Sequence, residues 1–280
     1  MLPQEIVIDG ELYPPNYTEE TIRTAKAMVA RPSDIIICTY PKCRTSYDSV
    51  EDEDDWQECR YNTLCYVSPM IEYTGGEFAE KLTHFTYENT PKNGGAKYIY
   101  AVRNPKDCLT SYFHHTRNFK IYKFEQGKFD DYFDVFHSGH VGYGDYYDHL
   151  LSWLDAVERQ DEKILLLTYE DMMKDLRSAV VKIARFLGGD AEDAVADPRK
   201  LDEIVKSSSL GSMKENQQRW FPKEYLNTQT FIRKGGSRDW RNHLTLEQSD
   251  LMDKKFDEMT AATKVNGWWK KEMEWEEEDH

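Results

Sequence analysis

The sequence has no long apolar run. Its longest are only a few residues, as in the stretches Ile35–Cys38 and Ile164–Leu167, whereas a helix needs about 20 apolar residues to span a bilayer. The first residues, Met1 to Glu5, carry neither the basic nor the apolar region of a signal peptide. We therefore expect no association with a membrane and a cytoplasmic location.

Basic charge and paired cysteines are also scarce. The chain has 51 acidic and 36 basic residues, for a net charge of −15, which disfavours nucleic acids and anionic membranes as partners. None of its five cysteines forms a CxxC pair, so we expect reduced thiols and no metal. These cysteines are Cys38, Cys43, Cys59, Cys65 and Cys108.

Internal repeats and Gly/Ser-rich linkers are missing as well. For 280 residues with 39% hydrophobic content, a single domain is therefore expected. We place an N-terminal wrap-around segment at 1–32, the main domain at 33–262 and an acidic C-terminal tail at 263–280, of which 272–279 is expected to be solvated.

Three short apolar runs are present, at 34–39, 97–102 and 163–168. Each ends in polar residues and is followed by helix-compatible sequence, which is typical of buried parallel strands. The pattern predicts an α/β fold, a single domain with a central parallel sheet flanked by helices. Ligands of such sheets bind beyond the carboxyl ends of the strands, so the residues after each run are the candidates for function.

Three helices are predicted from apolar spacing and caps. Thr18 is expected to cap a helix that runs to Val29, with acidic residues in its first turn. The stretches 145–159 and 176–187 each carry one apolar face, which is typical of helices that pack on a sheet.

Cations and hydroxyls follow the three runs. Lys42 stands where the first strand should turn into a helix, a place where free N–H groups suit a phosphate, although the stretch taken alone is more typical of a polar turn. The GxxxxGK[ST] spacing is missing, which disfavours ATP hydrolysis. Arg103 and Ser111 follow the second run and can bind a phosphate together, while Tyr169 follows the third and could border a base.

The segment Phe231–Gly236 adds two further cations, Arg233 and Lys234, beside glycines that allow close approach of the backbone to a ligand. A polar turn explains any one of these elements. Several cationic elements that converge on strand ends are harder to explain in that way. Together they indicate a site for a phosphorylated adenine nucleotide.

Five stretches in order resemble the cytosolic sulfotransferases. They are TYPK at 39–42, RNPKDCLTSYFHHTR at 103–117, FDDYFDVFHSGHVGYGDYYDHLLSW at 129–153, LLLTYEDMMKD at 165–175 and RKGGSRDWRNHLT at 233–245. The resemblance implies a P-loop-NTPase-like sulfotransferase fold. It also implies transfer of a sulfuryl group from 3′-phosphoadenosine 5′-phosphosulfate (PAPS) to a small-molecule phenol, alcohol or amine, which leaves 3′-phosphoadenosine 5′-phosphate (PAP) and needs no metal.

The resemblance also implies roles for single residues. Lys42 matches the lysine that stabilises charge on the bridging oxygen, and Thr45 and Ser46 match the hydroxyls that bind the 5′-phosphosulfate. Arg103 and Ser111 match the pair that holds the 3′-phosphate. The other matches close over that phosphate or lie near the adenine: Tyr169, Ser208, Leu210, Arg233, Lys234 and Gly235. Ser208 reads equally well as a hydroxyl at a helix start.

His84 occupies the frame of the family's catalytic base, within the sequence Leu82-Thr83-His84-Phe85. A neutral imidazole is suited to take the proton of an acceptor hydroxyl. Read without the family, a lone histidine is more often structural. The other histidines that we considered are assigned packing or surface roles: His114, His115, His137, His140, His149 and His243.

The chain departs from the family between residues 44 and 60. Arg44 replaces a glycine and either strains the loop or adds a contact to the anion. Tyr47 replaces a tryptophan that stacks on adenine, and Leu210 replaces a phenylalanine. Each of these two replacements is expected to weaken stacking on the base. An acidic segment at 48–59 replaces an apolar helix; it would repel the phosphates if it pointed inward, and otherwise loops outward.

Three hypotheses about function remain open from the sequence. The first is an active sulfotransferase with His84 as base, and the second is a weak or inactive homologue that keeps the 3′-phosphate site. A P-loop-like kinase is disfavoured by the missing spacing. The stretch 241–250 resembles the family's dimer motif and predicts a homodimer.

Overall fold

The computed structural model describes residues 1–43, 80–160, 163–216, 223–228 and 230–275, with the side chains of all of these except 80–82 and 216. Arg44, Thr45, Ser46, Tyr47 and the acidic segment 48–59 therefore lie outside the described residues. None of the helices in the described ranges has the length and apolar character needed to cross a bilayer.

A four-stranded parallel sheet lies at the centre of the described structure. Its strands are β3 (Ile35–Thr39), β4 (Glu80–Thr83), β5 (Lys97–Val102) and β6 (Lys163–Thr168), in the order β4-β3-β5-β6. The three apolar runs thus form adjacent parallel strands, which confirms the predicted α/β fold. The fourth strand, β4, was not predicted, because its sequence Glu-Lys-Leu-Thr has one strongly apolar residue and lies at the sheet edge.

Helices flank the sheet, and a β-hairpin precedes it. The hairpin strands are β1 (Ile6–Ile8) and β2 (Glu11–Tyr13). The helices are α1 (Glu19–Ala27), α2 (Pro105–Asn118), α3 (Phe129–His137), α4 (Tyr146–Arg159), α5 (Tyr169–Lys174), α6 (Leu176–Leu187), α7 (Asp190–Ala196), α8 (Pro198–Ser207), α9 (Leu210–Asn216), α10 (Leu246–Thr260) and α11 (Lys270–Met273). Short 3₁₀ turns occur at Lys120–Tyr122, Lys223–Tyr225 and Asp239–Asn242.

The predicted helices form almost as expected. Thr18 caps α1 through a reciprocal capping box with Thr21, and Asp145 caps α4. The first helix ends at Ala27 rather than at Val29, because Met28 has an extended ψ of 142°. The bounds of α6 are those predicted.

The two faces of the sheet are buried in separate cores. Tyr98 and Tyr100 of β5 belong to the large core that includes residues of α2 and α4. Ile99 and Ala101 belong to a second core under α6. Alternate side chains of one strand therefore serve opposite faces, which is why the strand reads as a continuous apolar run.

The N-terminal segment packs beside the end of β4. Tyr13, Tyr17 and Ile22 form a third cluster with Phe85, the residue after His84. The hairpin and α1 thus contribute to the surroundings of the predicted base.

The C-terminal segment packs on the domain in its described part, residues 263–275, and the solvation expected for 272–279 does not hold at Met273. Val265, Trp269 and Met273 are buried, and the Trp269 indole donates to Glu170 at 2.9 Å. These apolar residues recur within an acidic stretch, so they anchor it to the domain while carboxylates such as Glu274 remain exposed.

Candidate active site

A cavity of about 710 Å³ opens beyond the carboxyl ends of β3, β5 and β6. Polar residues that directly follow these strands reach it, as expected for a parallel sheet. The predicted site residues among its described lining are Lys42, Arg103, Ser111, Tyr169, Leu210, Arg233, Lys234 and Gly235. Residues from five separate parts of the sequence therefore meet in one place.

Lys42 lies just beyond the end of β3, in a left-handed conformation with φ of 72°. Its ammonium group lies 4.1 Å from the ring centre of Phe231, a cation–π contact that positions it in the cavity. Burial, and then the charge of Arg103, lower the pKa of Lys42 to about 7. A negative ligand would reverse that effect, because it stabilises the charged amine.

Arg103 is the first residue after β5 and only 8% exposed. Its Nη2 donates to the carbonyl oxygen of Gly236 at 2.8 Å, and its guanidinium carbon lies 4.1 Å from the ring centre of Tyr169. Its Nε is buried and has no hydrogen-bond partner among the described residues. A buried donor in this position suits an anionic ligand.

Helix α2 brings Ser111 to the cavity. The helix begins where the side chain of Asn104 accepts from the backbone N–H of Asp107 at 2.9 Å. His114 and His115 also line the cavity, and the sequence interpretation missed them. Their spacing of three and four residues from Ser111 places all three on one helix face, which was the available signal.

The segment that follows residue 230 supplies two cations held by one carboxylate. Lys234 donates to Asp239 at 2.6 Å, and Arg233 pairs with the other oxygen of Asp239. Burial alone would raise the pKa of Asp239, but hydrogen bonds from Lys234, Arg233 and Asn242 lower it overall. The two cations are therefore preorganised at the cavity wall.

Gly235 lies between these cations and Leu210. Its φ is 68°, a conformation that side chains rarely adopt, and a Cβ would lie 2.4 Å from Cδ1 of Leu210. The backbone conformation therefore favours glycine here, and a larger residue would also displace the Leu210 side chain that α9 brings to the cavity.

His84 follows β4 and lies next to the end of β3. Its Nδ1 lies 2.7 Å from the carbonyl oxygen of Thr39; because a carbonyl only accepts, Nδ1 carries the proton and Nε2 carries the basic lone pair. The Tyr143 ring meets the imidazole edge-on at 4.9 Å. Burial lowers the pKa of His84 to about 4, and the charge of Lys42 adds to that shift. The hydrogen bond with Thr39 acts in the opposite direction.

Two predicted residues do not line the cavity. His84 and Ser208 are not among the described residues that line it. Ser208 is the C-cap of α8, so it is not a hydroxyl at a helix start. The charge of Lys42 nevertheless acts on His84, which places the imidazole within electrostatic reach of the cavity's lysine.

The fold and the cavity define an α/β protein with a cation-lined site for an anionic ligand at the strand ends. The chain belongs to the sulfotransferase domain family, whose model matches residues 32–268, and is therefore a transferase of the EC 2.8.2 type.

Named relatives agree with this family. The chain is 31% identical over 263 residues to rat Sulfotransferase 1C2, covering 85% of this chain and 86% of that protein. It is 32% identical over 266 residues to human Sulfotransferase 2A1, covering 88% and 90%. These matches confirm the sulfotransferase interpretation and give no support to an inactive homologue.

Solved structures agree with the fold. Mouse sulfotransferase SULT7A1, crystallised in complex with PAP, superposes with a TM-score of 0.73 at 25% identity, covering 97% of this chain and 99% of that one. Retinol dehydratase, in a complex with retinol and PAP, gives a TM-score of 0.67 at 19% identity, with 94% and 91% covered. The second match bears on the fold alone.

Proposed function

We propose that this sulfotransferase uses PAPS as its sulfuryl donor and a small-molecule phenol, alcohol or amine as its acceptor. The observation that carries the proposal is the convergence of Lys42, Arg103, Arg233 and Lys234 on one cavity. Arg103 directly follows β5, and Arg233 and Lys234 are held by Asp239, so these three charges are in place before a ligand arrives. The PAP bound in the mouse structure supports a ligand of this kind.

The residues present fit the nucleotide's 3′-phosphate. Arg103 offers a buried Nε that has no hydrogen-bond partner among the described residues, and Ser111 adds a hydroxyl from α2. Arg233, Lys234 and the backbone at Gly235 would close over the same phosphate. Tyr169 and Leu210 would border the adenine, and Ser208 would lie near it.

The 5′ half of the donor would be held by Lys42 and by Thr45 and Ser46, which lie outside the described residues. Arg44 and Tyr47, in the same stretch, would contact the phosphosulfate and the adenine. A protonated Lys42 would stabilise the charge that develops on the bridging oxygen.

The chemical step we propose is an in-line displacement at sulfur. As the acceptor oxygen or nitrogen forms its bond to sulfur, His84 takes the acceptor's proton at Nε2. Lys42 donates to the bridging oxygen as its bond to sulfur breaks, and PAP is released. The Thr39 carbonyl holds the His84 ring in the tautomer that this step requires.

The first test is calorimetry with PAP, followed by assay of a panel of phenols, alcohols and amines with PAPS. We expect micromolar binding of PAP and sulfation of at least one acceptor class. Arg103→Ala should weaken PAP binding, while Arg177→Ala, which removes a surface ion pair with Asp202, should not. Absence of micromolar PAP binding to the unaltered chain would contradict the proposal.

The second test separates binding from chemistry. His84→Ala should lower turnover roughly 10²–10⁴-fold, the usual contribution of a general base, and leave PAP affinity unchanged. His140→Ala, at an exposed histidine, is the matched control. Turnover by His84→Ala within about tenfold of the unaltered enzyme would rule out His84 as the base.

We also propose that the chain forms a homodimer through residues 241–250. The support is the resemblance of this stretch to the family's dimer motif, together with Leu246, a large apolar side chain that is 53% exposed. Light scattering should give about twice the 33.0 kDa of one chain. Leu246→Glu should give the monomer, whereas Leu2→Glu, at an exposed leucine elsewhere, should not; a monomeric unaltered chain would contradict this proposal.

A further inference from the structure

Three potential metal ligands meet at the rim of the cavity. His114 projects from α2, Asp239 begins the 3₁₀ turn Asp239–Asn242 and His243 follows that turn. The two histidine Nε2 atoms lie 3.2 Å apart, and His243 Nε2 lies 3.6 Å from Asp239 Oδ2. The ligand atoms of all three residues lie within 4.8 Å of one another.

We propose that His114, Asp239 and His243 form a binding site for a divalent transition-metal ion such as Zn²⁺. Two imidazole nitrogens bound to one tetrahedral zinc ion, each at about 2.0–2.1 Å, lie about 3.3 Å apart. The observed separation of 3.2 Å is close to that distance. The carboxylate would supply the third ligand, and the fourth position would take water.

The elements that carry these ligands are fixed to one another. Asp107, two turns before His114 on α2, accepts from the backbone N–H of Arg238 at 2.7 Å and from that of Trp240 at 3.3 Å. These bonds hold the turn that carries Asp239 against the helix that carries His114. The Phe129 ring stacks on His243 at 5.5 Å, which restricts that ring as well. Preorganised ligands are a requirement of a metal site.

Both imidazoles are in the neutral charge state that metal ligation requires. Burial, and then the charge of Arg233, lower the pKa of His114 to about 3. Burial also lowers the pKa of His243. Neutral imidazole is the ligating species, so neither ring has to lose a positive charge when an ion binds. The ring that donates in the Nε2–Nε2 hydrogen bond would carry its proton on Nδ1 instead.

Arg233 and the ion would compete for one oxygen. Arg233 pairs with Asp239 Oδ2, the oxygen nearest to His243, while Lys234 holds Oδ1 at 2.6 Å. A phosphate that shares the hydrogen-bond donors of Arg233 and Lys234, without displacing them from the cavity wall, would weaken their pairing with Asp239 and make the carboxylate available to the metal. This coupling between phosphate and metal rests on the proposed function. It predicts that PAP strengthens metal binding. By thermodynamic linkage, the metal should strengthen PAP binding by the same factor.

No metal was predicted from the sequence because the cysteines lack a CxxC pair and because His114 and His243 were assigned packing or surface roles. His114 and His243 are 129 positions apart, and only the packing of the turn on α2 brings them together. The proposed ion takes no part in the sulfuryl transfer described above.

The test is titration of the full chain with Zn²⁺ alone, and with Co²⁺ as a spectroscopic probe, without nucleotide. We expect one ion per chain at micromolar affinity, with the absorption of tetrahedral Co²⁺. His243→Gln and His114→Ala should each weaken Zn²⁺ binding at least about tenfold, and His140→Ala should leave it unchanged. The His243 side chain is half-buried, with 21% of its surface exposed, and glutamine is close to it in size, so His243→Gln remains informative if His114→Ala fails to fold.

Equal Zn²⁺ affinity in His243→Gln and the unaltered chain, or no Zn²⁺ binding at micromolar concentrations, would overturn the site. A repeat titration with saturating PAP tests the coupling separately. Tighter Zn²⁺ binding is expected; unchanged or weaker binding in a chain that does bind PAP would overturn the coupling. If PAP does not bind at all, the proposed function fails, whereas the titration without nucleotide still decides the metal site.

Discussion

At the scale of single residues, the site depends on groups whose charge is set by burial. Lys42 and His84 are both partly buried, and the charge of Lys42 lowers the pKa of His84 further. A neutral His84 is ready to accept a proton, and a lysine with a pKa near neutrality is ready to gain one when an anion arrives. The two groups are thus matched to a negatively charged donor.

The first prediction concerns proton uptake by Lys42. Because its pKa is about 7, Lys42 is mostly neutral at pH 8, and the phosphates of PAP should raise that pKa. Binding at pH 8 should therefore take up as much as about one proton per PAP. Calorimetry in two buffers of different ionisation enthalpy measures this uptake, and Lys42→Met should abolish it; equal enthalpies in both buffers would contradict the prediction.

The second prediction concerns Glu5 and the pH dependence of stability. Burial raises the pKa of Glu5 from 4.5 to about 7, although the Gly142 N–H that donates to it opposes the shift. The folded state therefore holds an extra proton between pH 4.5 and about 7, so the free energy of unfolding should fall as the pH rises through that window.

Glu5→Gln keeps an acceptor for Gly142 without the ionisation. At pH 8 this substitution should raise the free energy of unfolding by about 2–3 kcal/mol more than it does at pH 4. Urea unfolding at both pH values measures this difference, with Glu88→Gln, at an exposed carboxylate, as control. If Glu88→Gln changed the free energy of unfolding between the two pH values as much as Glu5→Gln does, Glu5 would not be the cause of the pH dependence.

At the scale of elements, helix α2 connects the site to the C-terminal half of the chain. Its Lys106 is fully buried and donates at 2.7 Å to the Ser249 hydroxyl, to the Asp253 carboxylate and to the carbonyl oxygen of Met273. One ammonium group thus ties α2 to α10 and α11. The same helix carries Ser111 and His114, so this anchor also fixes the cavity wall.

Lys106→Met should destabilise the protein by about 2–3 kcal/mol, because it leaves buried acceptors without a donor. Lys254→Met on α10 is the control: Lys254 is 71% exposed and pairs only loosely with Glu258, so its loss should be nearly neutral. Chemical denaturation compares the two. Similar stability of both variants would show that the Lys106 contacts are energetically minor.

Element positions were largely predictable because they follow local periodicity. The runs at 34–39, 97–102 and 163–168 became β3, β5 and β6, and the caps Thr18 and Asp145 mark helix starts in the structure. The edge strand β4 was missed because its own sequence has no apolar run. It is a strand because its backbone pairs with that of β3.

At the scale of the whole molecule, the C-terminal segment is part of the domain. Glu170, at the start of α5, accepts from the Trp269 indole at 2.9 Å and from the backbone N–H of Asn104 at 3.0 Å. Asn104 is the cap of α2. A residue near the end of the chain therefore supports the junction between two strand ends and the cavity.

Trp269→Ala should lower the free energy of unfolding by about 3–5 kcal/mol, the usual cost of removing a buried tryptophan. Its neighbour provides a matched control, because Trp268 is 38% exposed whereas Trp269 is 2% exposed. Trp268→Ala should therefore cost less than about 1 kcal/mol. Thermal and chemical unfolding of both variants test whether the segment unfolds together with the domain. Equal small losses in the two variants would contradict this prediction.

The sequence by itself determined the parallel sheet and the residues that stand at its strand ends, because a strand and the residues that follow it are defined by short-range order. It therefore predicted that Lys42, Arg103 and Tyr169 would share a site, and the structure places all three on one cavity. Only the tertiary structure decided which distant groups meet them: Phe231 against Lys42, Asp239 against Arg233, and His114 against His243. These contacts depend on how helices and turns pack on one another, which no local pattern of residues records.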